Sequence, residues 1–124
     1  MRGVPAFVDP EDTLRVAVQT MAGQKTGAVI VLGPDGPTSI VTERDIVRAL
    51  ADQADPDTVW AADVASGDLA AIGPDTTVAE AVELMAKAQI LHVPVKSNGE
   101  VVGMVVAGDI LDLLGSAASR AQVA

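Results

Sequence analysis

The stretch Thr38–Leu50, TSIVTERDIVRAL, joins two hydrophobic patterns across a polar step. Ile40 and Val41 end a β-branched run that suits a strand, and Ile46, Val47 and Leu50 follow at the spacing of an amphipathic helix. Thr42 stands where an N-cap is expected, and Asp45, three residues on, puts a carboxylate into the first turn. A strand running directly into a helix is the prediction. The N–H groups and positive dipole end of that helix suit a phosphate, and the two oxygens of Asp45 can accept both hydroxyls of a ribose. Taken alone, Thr-x-x-Asp reads first as an ordinary helix cap.

The step recurs. A shift of 64 positions lays Val106-Ala107-Gly108-Asp109-Ile110 over Thr42–Ile46, and the same shift aligns Pro10 with Pro74, Thr13 with Thr77, Met21 with Met85 and Val31 with Val95. The chain is an internal duplication, with repeats expected over 1–58 and 59–124. Most of the shared positions suit a core or a cap. Asp45 and Asp109 differ, because the second copy keeps the carboxylate although Val106 has replaced the capping hydroxyl. A carboxylate retained without its capping partner points to a ligand.

Working outward, Val4–Val8 predicts a short strand ending at Asp9-Pro10. Leu14, Ala17, Val18 and Met21 form one apolar stripe of a helix, with Asp12 or Thr13 as cap and Gly23 near the stop. Gly27–Leu32 is an unbroken apolar run, as in a strand buried on both faces. Gly33-Pro34-Asp35-Gly36-Pro37 is a turn leading into the strand Thr38–Val41 and a helix from Glu43 to about Ala51. Asp52–Ser66 reads as a linker in which Val59, Trp60 and Val64 make a short helical stripe. The second copy follows the same order. Leu69–Ile72 is its first strand, Thr77-Val78-Ala79-Glu80 a capping box, and Val78, Ala81, Val82 and Met85 the apolar face of its helix. His92–Lys96 and Val101–Val106 pair as a hairpin through Asn98-Gly99, and a last helix carries Ile110, Leu111, Leu113 and Leu114.

The 124 residues, 49% hydrophobic, suffice for a core. Neither a membrane span nor a signal peptide is evident, so the expected location is cytoplasmic. No Cys and a single His leave no thiol chemistry and no multi-histidine metal site. Glu80, Glu83, Asp109 and Asp112 read as ordinary acidic helix residues, not as a metal site. A net charge of −9, from 17 acidic and 8 basic residues, opposes binding to nucleic acid or anionic lipid. Phe7 and Trp60 are the only aromatic residues, too few for a base-stacking platform.

The order strand, helix, strand, strand, helix, given twice, together with IVTERDI at Ile40–Ile46 and HVPV at His92–Val95, resembles a tandem pair of cystathionine-beta-synthase (CBS) domains. The resemblance covers nearly the whole chain. It implies an α/β (α+β) fold of two β-α-β-β-α repeats packed sheet to sheet about a pseudo-twofold axis, with two clefts that often take adenosine-containing ligands. Carried onto this sequence, it puts Thr42 and Asp45 at sugar and phosphate in one cleft, with Gly27, Ala28, Val29 and Ile40 around the base. The other cleft would use Asp109 with His92, Val93, Pro94 and Met104. His92 and Arg44 are candidates for contact with a phosphate. Val106 removes one polar contact from the second cleft, so the cleft of Asp45 is expected to bind more strongly.

These readings describe a stand-alone regulatory module that performs no chemistry and needs no cofactor. It binds an adenine nucleotide or related adenosyl compound and signals to an effector protein or through a homodimer. The alternative is an interaction scaffold with empty clefts. A hydrolase using Asp45 as base lacks an evident nucleophile–base pair and a P-loop pattern.

Overall fold

The computed structural model describes residues 5–65 and 69–112. The described residues of Pro5–Ala70 pack as one unit and those from Ala71 onward as another. The boundary expected between 58 and 59 therefore differs from the division made by packing.

The first unit runs β1 (Phe7–Val8), α1 (Leu14–Gln24), β2 (Ala28–Gly33), β3 (Gly36–Thr42), α2 (Glu43–Ala51) and α3 (Ala61–Val64). Its three strands lie in the order β1-β2-β3, the first pair parallel and the second antiparallel. Val4, expected at the start of β1, lies outside the described residues. Ala28, Val29, Ile30 and Val31 are all buried, as the unbroken apolar run predicts. Beyond a bulge between Val31 and Leu32 the hairpin turns on two residues, Pro34 and Asp35, so β3 starts at Gly36 and not at Thr38. Gly36 has φ +120°, a conformation open to glycine and strained for other residues.

Thr13, not Asp12, caps α1, accepting a hydrogen bond from Val16 N–H at 3.3 Å. The helix also passes Gly23. It ends where Lys25 adopts φ 53° and the Thr26 N–H reaches the Met21 carbonyl at 3.0 Å. Leu14, Ala17 and Met21 are buried as expected, whereas Val18, at the margin of the stripe, is exposed. Ala17 and Met21 meet Val8, Val29, Val31, Val41 and Ala61 in one core.

The second unit repeats this plan in matching register. Its α4 (Val78–Ala88) is α1 shifted by 64, with Thr77 as cap and Gln89 at φ 55° in place of Lys25. β4 (His92–Ser97) pairs antiparallel with β5 (Glu100–Val106), and every partner from His92↔Val106 to Ser97↔Glu100 is the shifted counterpart of a β2–β3 pair. Even the bulge recurs, between Val95 and Lys96. Residues 107–112, here α5, are helical.

The strand expected over Leu69–Ile72 is reduced to one parallel bridge, Ile72↔Val95. Proline explains this. In the first unit the Ile30 N–H donates to the Ala6 carbonyl at 2.9 Å, and the shifted counterpart of Ile30 is Pro94, which has no N–H to give. The core here gathers Met85, Val93 and Ile110, with Ile72, Leu84 and Val105 against them. Val78 and Val82 of the expected stripe are exposed, as is Leu111, while Leu113 and Leu114 lie outside the described residues.

The segment expected to be a linker is part of the first unit. Leu14 N–H donates to the Val59 carbonyl and Arg15 N–H to that of Pro56, both at 2.9 Å. In return Ala61 N–H reaches the Asp12 carbonyl at 2.7 Å and Ala62 N–H that of Pro10 at 3.2 Å. Thr13 and Trp60 form an antiparallel bridge, Ala61 is fully buried, and Val64 and Ala65 rest on the core. This strap supplies acceptors for N–H groups that the start of a helix otherwise leaves unpaired.

Candidate functional site

β3 delivers Thr42 in extended conformation, φ −112° and ψ 168°, to the start of α2. The helix follows without a connecting loop, because the Glu43 N–H is taken by the Gly27 carbonyl at 3.1 Å. The second unit repeats that bond from Ala107 N–H to the Leu91 carbonyl at 2.9 Å. In both units the hairpin backbone fixes where the helix begins.

Thr42 and Asp45 form a reciprocal capping box. The Thr42 N–H donates to Asp45 Oδ2 at 2.9 Å and the Thr42 hydroxyl donates to the same oxygen at 3.1 Å. Asp45 N–H donates back to the hydroxyl at 3.4 Å. The Asp45 side chain is only 3% exposed, and Arg48, one turn along α2, brings Nη1 to 3.8 Å from Oδ1. A carboxylate that is largely desolvated is thus held by donors and by a cation at the positive end of a helix.

Alternation along the hairpins sorts the remaining candidates. Ala28 is directly opposite Thr42, and Ile30 is opposite Ile40, so these four share one face. Val29 and Val41 are on the other, in the core with α1. The structure therefore brings Ala28, Ile40 and Thr42 together, while the Val29 side chain is turned away and Gly27 contributes backbone. In the second unit His92 is opposite Val106 and Pro94 opposite Met104 on one face, whereas Val93 packs with Met85 and Ile110. Val29 and Val93 thus cannot present side chains with their expected partners, because the strand period of two sends neighbours to opposite faces.

Asp109 and His92 are half-buried, and Arg44 is exposed in the first turn of α2. Arg48 joins the site only in the structure, and the one signal for it in the sequence is its spacing of three from Asp45 on a helix. Among the described residues no group of three or more His, Asp or Glu could hold a metal ion, and no helix is long and apolar enough to cross a membrane. The arrangement can accept hydroxyl hydrogens and hold an anion beside a guanidinium. A general-base role for Asp45 would first break the cap of α2.

The family model for the CBS domain matches residues 1–52 and 61–116. An uncharacterized protein of Methanopyrus kandleri is 35% identical over 107 residues, covering 84% of this chain and 55% of that protein, so the chain spans about half of its length. Hypoxic response protein 1 of Mycobacterium tuberculosis is 32% identical over 105 residues, with 83% of this chain and 73% of that protein covered. A crystal structure of Hypoxic Response Protein I, with two coordinated zinc ions, superposes with a TM-score of 0.77 at 31% identity over 90% of this chain and 92% of that one. A CBS domain protein from Pyrobaculum aerophilum, solved in complex with AMP, gives a TM-score of 0.81 at 28% identity, covering 94% and 95% of the two chains.

Proposed function

Since this chain belongs to the CBS-domain family and carries two copies of the domain, we propose that it is a regulatory module that binds an adenosine-containing ligand and performs no chemistry of its own. The observation that carries this reading is the Thr42–Asp45 step, where a nearly buried carboxylate, a hydroxyl and a guanidinium meet beside the apolar Ala28 and Ile40. A carboxylate has about four acceptor positions, two of them taken on Oδ2 by the Thr42 N–H and hydroxyl, so the hydroxyls of a ribose would bond Asp45 in exchange for its present contacts, Arg48 at Oδ1 among them. Ala28 and Ile40 offer an apolar wall to a base. The AMP bound by the Pyrobaculum aerophilum relative supports the same ligand class.

Signalling then requires that the ligand bind two states of the module, or of its assembly, with different affinity. Val47 and Leu50 leave an apolar stripe exposed on α2, which we read as the contact of a homodimer in the cytoplasm. A pure interaction scaffold is the second reading, favoured by the completeness of the capping box around Asp45. Calorimetric titration with AMP, ADP, ATP, S-adenosylmethionine and NAD decides between them. Saturable binding of one member supports the sensor, and no heat from any member supports the scaffold.

A further inference from the structure

The carboxylate of Asp45 poses an electrostatic problem for a phosphorylated ligand. A ribose held by Asp45 carries its 5′ substituent only a few ångströms away, so a phosphate there adds a second anion beside a desolvated first one. The chain is already at −9, and attraction must come from a cation within that short range. The first unit has four described cationic side chains. Arg15 is engaged by Asp57 on the strap, at the start of α1, and Lys25 ends that helix two residues before Gly27. Arg44 adjoins Asp45 in sequence, and adjacent positions on a helix project about 100° apart. Arg48 is three residues on, shares the face of Asp45 and is already within 3.8 Å of its carboxylate. Its side chain is 66% exposed, so the guanidinium can move without disturbing the core.

We propose that Arg48 is the specificity-determining residue of this site. It selects a nucleoside 5′-phosphate over neutral adenosine or the cationic sulfonium of S-adenosylmethionine, by moving from Asp45 to the phosphate when the ribose hydroxyls bond that carboxylate. The inference rests on the adenosyl-binding reading given above. Arg suits the exchange because its planar fork holds phosphate and carboxylate oxygens in pairs, which a Lys ammonium cannot do.

The test titrates the full chain with AMP and with adenosine, as wild type, Arg48→Gln, Arg48→Lys and Arg15→Gln. The last removes the same charge from the same unit at the start of α1, where Arg15 pairs with Asp57. Arg48→Gln is expected to weaken AMP by about 10- to 100-fold and to leave adenosine within about twofold, while Arg48→Lys recovers part of the loss and Arg15→Gln changes neither. AMP binding by the wild type should also weaken with added salt, and that dependence should flatten in Arg48→Gln. Equal losses for AMP and adenosine, or an unchanged AMP affinity, overturn the role of Arg48 and leave the adenosyl reading standing. If the wild type binds neither compound, both fall together.

Discussion

Thr42 and Asp45 are each the other's partner, so either substitution strikes both the helix and the proposed site. Thr42→Val copies Val106 of the second repeat and removes the hydroxyl that accepts from Asp45 N–H and donates to Oδ2. It should cost about 1 kcal/mol in urea denaturation. Asp45→Ala strips the acceptor from the Thr42 N–H as well, and about 1–3 kcal/mol is expected. In calorimetry with AMP, Asp45→Ala should lower affinity by roughly 10- to 100-fold, and more than Asp109→Ala does. Loss of binding in Asp109→Ala alone would make the first step a helix cap and no more. Cap and carboxylate were both legible in TSIVTERDIVRAL. That the carboxylate would be almost fully buried was not, because its exposure depends on what packs around the start of α2.

At the scale of elements, the strap over 55–65 shows how a stretch of mixed polarity becomes structure. Its hold on α1 and the turn before it combines four backbone hydrogen bonds, two to each, with a buried Ala61 and a paired contact of Arg15 Nε and Nη2 with the two oxygens of Asp57. The hydrogen bond from Arg15 holds the Asp57 carboxyl below the usual carboxylate range, against a smaller effect of desolvation, with the charge of Arg15 adding to it. Arg15 is raised in turn, chiefly by the same bond. Because the folded value of Asp57 is depressed, its contribution is complete above the unfolded carboxylate pKa of about 4 and is lost as pH falls through the lowered value. The stability difference between wild type and Asp57→Asn should therefore be small at neutral pH, as for an exposed pair, and vanish in acid. In an Arg15→Gln background the same Asp57 substitution should show no such acid limb. Hydrogen exchange gives an independent check. Replacing Ala61 with Asp puts a charge into a fully buried position and should release the amides of Leu14, Arg15 and Ala62 together.

For the molecule as a whole, exposure decides what the dimer test can mean. Leu111 is 68% exposed and Val47 66%, so Leu111→Asp and Val47→Asp should leave each unit folded. Sedimentation at micromolar concentration should then give a dimer for the wild type and a shift toward monomer for Val47→Asp. A wild-type monomer would remove the dimer from the proposed function. By itself the sequence determined the duplication, its shift of 64 and the strand–helix step in each copy. Those follow from hydrophobic periods and caps, which are short-range patterns repeated along the chain. It also held the reason that the second copy has the shorter first strand, since Pro94 lacks the donor that Ile30 provides. Only the tertiary structure decided that residues 59–65 pack with the first repeat, that Arg15 meets Asp57 from 42 positions away, and that Asp45 is buried beside Arg48. Such pairings depend on the path that returns the chain to the start of α1 and on what covers each side chain there, and no local period carries that information.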